Sequence, residues 1–423
     1  MIMEHNQHYE KLKAIVDKCD RCGACTTVCP LYKVDRKDRA TSRGKIAIVR
    51  ALLEDKLDGN EKALRHALDY CLLCKACTEV CPGKVMTDQA MIEMRQWLRE
   101  DHGLSPKYRL IGGFMSSGPL KSVSRPFIGI AQGLQFPRLT RGLLPANHTA
   151  PESMRHAGYQ GHRPACPAGP AIFSRREASP DGTSAEKCRV DLGKVERVAY
   201  FKGCAMKLFF KNASDASIAL IEKTGRSVDV PTVDCCGLPQ QSHGMIPLAK
   251  KMARHNIEVL QDYDLIITDC GSCGAMLKEY GALFADDFTM KEKARAFSQK
   301  VMGLSEYLYA VGYEPTPRKE LRVTYHASCH LNRGQGIHKE PQALLEKAVT
   351  YLPAENATMC CGGAGTFQID FPDTSAKVLD NKYKDFKATG ADIVVAECPS
   401  CLMQLGKLER YKDLQILHIS QVL

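Results

Sequence analysis

The chain has 423 residues, 44% of them hydrophobic and 25% charged, which is enough for a sizeable core and two to four domains. No apolar run approaches the roughly 18 residues of a membrane-crossing helix, and the start, Met1-Ile2-Met3-Glu4, lacks the basic and apolar segments of a secretion signal. The formal charge of +10 counts 20 cysteines as neutral, and no stripe of Lys and Arg interleaves with aromatics, so nucleic acid is not an expected partner.

Residues 1–102 carry the first motifs. Cys19, Cys22, Cys25 and Cys29 form a C-x2-C-x2-C-x3-C run closed by Pro30, and Cys71, Cys74, Cys77 and Cys81 form a second closed by Pro82. This is the bacterial ferredoxin pattern: three closely spaced thiolates wrap one face of a cubane, and the fourth cysteine reaches the other cluster. Cys19, Cys22, Cys25 and Cys81 are therefore expected to hold one [4Fe-4S] cubane, and Cys29, Cys71, Cys74 and Cys77 the second. Zinc, the other metal that takes four thiolates, is the weaker reading. Between the motifs a helix is expected over Arg43–Leu57, with Ile46, Val49, Leu53 and Leu57 on one face, then a second over Glu61–Asp69. A following helix carries Ile92, Arg95 and Trp97, whose face reads as core.

Residues 103–195 read as a connector rich in glycine, proline and basic residues, including Gly112-Gly113, Pro119, Pro126 and Pro137. A sharper reading is a patch that docks on a partner subunit or an anionic membrane surface. Cys166 and Cys188 lie here outside any motif and are read as non-ligands.

The remainder is a repeat. Cys204, Cys235-Cys236-Gly237 and Cys270-Gly-Ser-Cys273 recur as Cys329, Cys360-Cys361-Gly362 and Cys398-Pro-Ser-Cys401, with the lead cysteine 31 residues before the doublet in both copies. Five soft thiolates exceed the four ligands of structural zinc, and adjacent cysteines can reach two irons of one cluster. Short apolar segments at 198–203, 265–268, 323–326 and 393–396 read as strands delivering the cysteines. Val228–Val230 is strand-like and leads to the first doublet. Helices are expected over Ala213–Lys223 with Gly225 beyond its end, with Leu248, Met252 and Val259 on one face of the next, from Pro341, and through Ala376, Leu379, Tyr383 and Phe386. Alternating strands and helices imply small parallel sheets, with sites at the carboxyl ends of their strands. The domain division is 1–102, 103–195, 196–312 and 313–423.

Gly237 and Gly362-Gly363-Ala364-Gly365 allow close backbone approach and N–H donation to cluster sulfurs; a phosphate cradle is the weaker reading. His243, His326 and His330 lie near the ligands and read as hydrogen-bonded core groups, with proton delivery to a reduced substrate as the sharper alternative.

These five-cysteine units resemble the CCG domain of heterodisulfide reductase catalytic subunits. They also resemble the iron–sulfur subunits of glycolate oxidase, anaerobic glycerol-3-phosphate dehydrogenase and lactate-oxidising complexes, and the helix-spaced first motifs resemble the helical ferredoxin domain of succinate dehydrogenase iron–sulfur subunits. The fold implied is α+β and multidomain: an α-helical two-cluster ferredoxin domain followed by two repeated α/β CCG modules. The resemblance implies one or two non-cubane [4Fe-4S] clusters, one held by Cys204, Cys235, Cys236, Cys270 and Cys273, the other by Cys329, Cys360, Cys361, Cys398 and Cys401.

Thiolate-bound clusters, at about −2 for a four-thiolate cubane, offset much of the positive charge. No flavin or nicotinamide fingerprint is visible, so hydride chemistry falls to a companion. The expected role is an electron-transfer subunit that accepts electrons from an FAD-linked dehydrogenase of a 2-hydroxyacid and passes them towards quinone, a membrane subunit or another carrier. The expected location is the cytoplasm or the inner face of the membrane. Some glycolate-oxidase-type subunits lack cysteines in one unit, whereas both are complete here. That completeness supports the alternative, a heterodisulfide-reductase-like catalytic subunit. A maturation or quinone-reducing module is a lesser third reading.

Overall fold

A computed structural model describes residues 7–57, 61–103 and 190–423. The body of the expected connector, with Cys166 and Cys188, lies outside the described residues.

The N-terminal region is helical. Gln7–Val16, Ser42–Leu53, Glu61–Asp69 and Thr87–His102 pack around Leu12, Val16, Ile46, Val49, Met91, Met94 and Trp97. Thr41 starts the helix Ser42–Leu53 by accepting the Gly44 N–H at 3.1 Å. That helix stops earlier than its apolar spacing suggests. Asp55 takes a left-handed φ of 51°, and Leu57 lies past the end, 42% exposed, instead of on the buried face. Two short helices, Ala24–Val28 and Ala76–Glu79, begin inside the two cysteine runs and pack on one another.

The C-terminal half holds two all-parallel sheets. In the first, β1 (Val198–Tyr200), β2 (Leu265–Thr268) and β3 (Val301–Gly303) lie in the order 1-2-3. In the second, β4 (Arg318–Tyr325), β5 (Val349–Tyr351), β6 (Ile393–Ala396) and β7 (Gln415–His418) lie in the order 5-4-6-7. The central strands are short runs of Val, Ile and Leu because helices cover both faces. Alternate residues point into two apolar clusters: Ala199, Ile266, Val394 and Ile416 into one, and Tyr200, Ile267, Val395 and Leu417 into the other. Both clusters run through both sheets, so the two modules fold as one body.

Two local readings are refined. Val228–Val230 makes a single parallel bridge, Asp229 to Ala199, instead of a strand. The helix Ile246–Leu260 turns Ala249, Met252, Ala253, Asn256, Ile257 and Leu260 into the core, leaving Leu248 and Val259 half-buried on its flank.

Candidate functional site

All eighteen described cysteines are free thiols, and they gather into groups. In the ferredoxin region, Cys29, Cys71, Cys74 and Cys77 line one small cavity with Lys45, Thr87 and Asp88. These are the four thiols that the motif rule assigns to one cubane. Burial pushes the Cys29 thiol up to about 11, as expected for a thiol waiting for a cation instead of water. Lys45 is buried against the cavity with its Nζ donating to the carbonyls of Arg39 and Ala40, both at 2.8 Å. Burial lowers its hold on a proton, and the thiols of Cys71, Cys29 and Cys77 act the other way.

The other ferredoxin group is nearer solvent. Cys22 is exposed, whereas Cys19, Cys25 and Cys81 are half-buried. The chain after Cys81 abuts that before Cys19, for a Cβ on Gly83 would come within 2.5 Å of the Lys18 carbonyl.

In each CCG module the strand ends deliver the thiols. Cys204 and Cys329 open helices that follow β1 and β4, and Cys270 and Cys398 sit at the N-caps of helices that follow β2 and β6. The Cys204 and Cys235 sulfurs are 3.6 Å apart, and the Cys273 amide donates to the Cys270 sulfur at 3.2 Å. Two glycines make room. A Cβ on Gly203 would come within 2.9 Å of the Cys273 sulfur, and one on Gly363 within 3.6 Å of the Cys361 sulfur and 3.1 Å of the Ser400 carbonyl.

The second cysteine of each doublet is held below the ordinary thiol range. Contacts from the Cys235 and Cys273 thiols bring Cys236 down to about 5, against burial, and contacts from Cys360 and Cys401 hold Cys361 well below the usual thiol range. A buried thiolate ringed by thiols is the donor set of a thiophilic metal centre. Together with the cavity among Cys29, Cys71, Cys74 and Cys77, it fits iron–sulfur clusters.

The groups also meet one another. The Cys74 thiol contacts the Cys329 sulfur, which with burial raises it well above its ordinary value. Cys398 is held low by the Cys270 thiol first and Cys401 next, and Ser272 Oγ lies 2.9 Å from its sulfur. A continuous series of sulfurs therefore leads from the ferredoxin region through the second module to the first. Ion pairs fix the junction. Arg333 donates to Glu79 at 2.6 Å and to the Thr358 carbonyl at 2.9 Å, and Lys75 donates to Glu279 at 2.9 Å. Arg95, read as core, is buried and donates to the Ser242 carbonyl of the first module at 2.7 Å.

Of the three histidines, His243 shares a hydrogen bond with Thr366 at 2.7 Å, and burial lowers His330 below its ordinary range. His326 is fully buried, with one ring nitrogen in a group with the sulfurs of Cys361 and Cys401, all within 4.8 Å of one another. The sequence reading missed one repeated feature. Asp269 and Glu397 directly precede the final cysteine pairs and are buried against Tyr200 and Tyr325, at 2.6 and 3.3 Å. Burial pushes the Glu397 carboxyl up to about 7. Tyr200 and Tyr325 are 125 residues apart, the step between Cys204 and Cys329, so the repeat itself carried the signal.

Comparison with known proteins agrees. The Cysteine-rich domain family (CCG) matches residues 198–278 and 323–406, and the 4Fe-4S dicluster domain family matches residues 15–85. The chain is similar to a lactate utilization protein A of Geobacillus sp. (strain WCH70), 34% identical over 54% of this chain and 98% of the relative. It also resembles a solved structure of a hypothetical protein from Helicobacter pylori, with a TM-score of 0.51 at 10% identity, covering 98% of this chain and 71% of that one. It is also 31% identical to a probable glycolate oxidase iron-sulfur subunit of Bacillus subtilis (strain 168), over 92% of this chain and 87% of that protein. With two cysteine-rich domains behind a dicluster domain and that near-complete match, the chain belongs to the family of glycolate-oxidase-type iron–sulfur subunits and carries iron–sulfur clusters.

Proposed function

We propose that this chain is the electron-transfer subunit of an oxidoreductase acting on a 2-hydroxyacid of the glycolate or lactate type. Its electrons would come from an FAD-linked dehydrogenase partner and leave towards quinone or another carrier, at the cytoplasmic face of the membrane. Among the described residues no helix is long and apolar enough to cross a membrane. The observation that carries the reading is the packing of the thiol groups on one another: Cys74 packs against the cluster that holds Cys329 and Cys360, and Cys270, Cys273, Cys398 and Cys401 share one buried cluster.

In this reading Cys19, Cys22, Cys25 and Cys81 hold one cubane, and Cys29, Cys71, Cys74 and Cys77 the other. Cys204, Cys235, Cys236, Cys270 and Cys273 hold one non-cubane [4Fe-4S] cluster, and Cys329, Cys360, Cys361, Cys398 and Cys401 a second. Iron–sulfur clusters supply one-electron redox chemistry and no hydride chemistry. The chain's own side chains do the rest. The CCG thiols, all but Cys204 buried, keep water from the centres, and Arg333 places a cation beside the thiolates. Tyr280 and Asn256 fix the first doublet by donating to the carbonyls of Cys236 and Cys235, at 2.9 and 3.1 Å.

Anaerobic purification tests the proposal. A copurifying flavoprotein and hydroxyacid-dependent dye reduction by the complex are the expected results. Cluster oxidation by a disulfide substrate with no flavoprotein present would replace it with the heterodisulfide-reductase-like reading.

A further inference from the structure

The two modules present the same five thiols but differ one residue past the strand that delivers the lead cysteine. β1 runs into Phe201 and β4 into His326, which occupy the same step of the repeat, three residues before Cys204 and Cys329. Both side chains are fully buried. Phe201 fills its slot as packing, within the apolar cluster that includes Cys235, Cys236 and Cys273. His326 brings two ring nitrogens into the matching slot, and neither has a hydrogen-bond partner among the described residues. Burying such a group without a partner is costly, so a fold that keeps it there has a use for the nitrogen.

The surroundings narrow that use. Phe386 closes one side of the ring, edge to face, at 6.3 Å between centroids. A buried cation on the same Phe386 ring, Lys382, is already committed to the Asn356 carbonyl at 2.7 Å and Asp385 at 2.9 Å. What a ring nitrogen faces is the pair of sulfurs on Cys361 and Cys401. An imidazole N–H facing two thiolates can donate to a ligating sulfur, and such a hydrogen bond draws charge from the sulfur and raises the reduction potential of the centre it holds.

We infer that His326 donates a ring N–H to the thiolate sulfurs that hold the iron–sulfur cluster of the second module, and that this hydrogen bond sets that cluster's reduction potential above that of the first. The inference rests on the reading that both five-thiol units hold clusters. It gives two identical thiolate sets unequal tasks: the second cluster, next to the ferredoxin thiol Cys74, is the more readily reduced of the pair.

The test uses the full chain, purified anaerobically with isotope-labelled histidine, and reads pulsed electron paramagnetic resonance together with a redox titration. The signal that Cys361→Ser removes should show a coupling to histidine nitrogen that changes with the label. His326→Phe, which copies the first module, should abolish that coupling and shift the midpoint potential of the same signal downward. Phe201→His should give the first cluster a histidine coupling and an upward shift. Absence of a label-dependent coupling in the unmutated chain, or a potential that His326→Phe leaves unmoved, overturns the inference. Iron and acid-labile sulfide on the same samples separate the two levels: a second module without iron sinks the cluster reading itself, whereas a loaded module without histidine coupling sinks only the role of His326.

Discussion

The first and second CCG modules hold the same thiols with different supports. In the first, the doublet is fixed by Asn256 and by Tyr280, whose hydroxyl reaches the Cys236 carbonyl. In the second, Gln404 Nε2 reaches the Cys361 carbonyl at 3.3 Å and Ser375 Oγ the Gly362 carbonyl at 2.9 Å, while Lys382 and Asp385 form a buried ion pair behind the doublet. The first sheet has three strands and the second four. The difference teaches that the repeat preserves thiol positions, whereas the scaffold around them has been rebuilt. The two modules should therefore fail in different ways when cut at matching points.

The largest effect is on the ligands. Cys361→Ser should remove one low-temperature paramagnetic signal and its iron, leaving the ferredoxin signals in place, and Cys236→Ser should do the same for the first module. Iron and sulfide analysis with resonance spectra checks both. Loss of all signals together in either variant would break the division into independently loaded centres.

Next comes the ion pair that belongs to the second module. Lys382 is fully buried and Asp385 nearly so, at 0% and 6% side-chain exposure, so Lys382→Met strands a buried carboxylate and should cost about 3–5 kcal/mol. Replacing Asp385 with Leu as well should recover much of that loss. Urea denaturation under anaerobic conditions reads both variants, and a single mutant as stable as the double would show that the pair contributes nothing.

The polar clamps on the doublets should be weaker. Asn256→Ala leaves the Cys235 carbonyl and the Asp234 amide without their side-chain partner, and Gln404→Ala frees the Cys361 carbonyl. Each should cost about 1–3 kcal/mol in the same denaturation measurement. A cost confined to one of them would show that one module has the stiffer support.

The grouping of the cysteines and the strands that carry them were legible because metal chemistry fixes residue type and spacing together. The motif runs named Cys29 with Cys71, Cys74 and Cys77, and the cavity has those four in its wall. The Leu265–Thr268 and Ile393–Ala396 strands were legible as buried apolar runs before a cysteine. What escaped depends on long-range packing. β3 and β5 are three residues long, too short for a period. The helix after the first doublet is rotated because Asn256, polar in the sequence, is turned inward to hold the Cys235 carbonyl. The meeting of Cys74 with Cys329 joins residues more than half the chain apart, and no spacing rule reaches that far.

The smallest predicted effect concerns how the ferredoxin region is tied to each module. Lys75 meets Glu279 of the first with both side chains 14% exposed, and the pair is reinforced by Asp88 at 3.7 Å. Arg333 of the second meets Glu79, whose side chain is 54% exposed. An exposed carboxylate gains little from its partner and is screened by salt, so Glu79→Gln should cost no more than about 1 kcal/mol, less still in high salt. Arg333 keeps its bond to the Thr358 carbonyl in that variant, and the contact between Cys74 and Cys329 should persist. Glu279→Gln removes a partner from a Lys75 that stays buried and should cost more, about 1–3 kcal/mol, with little salt dependence. Denaturation at two ionic strengths distinguishes the ties. If the Glu79 variant proves the costlier, docking is governed by the second module, and the rate of electron exchange between ferredoxin and CCG signals should fall with it.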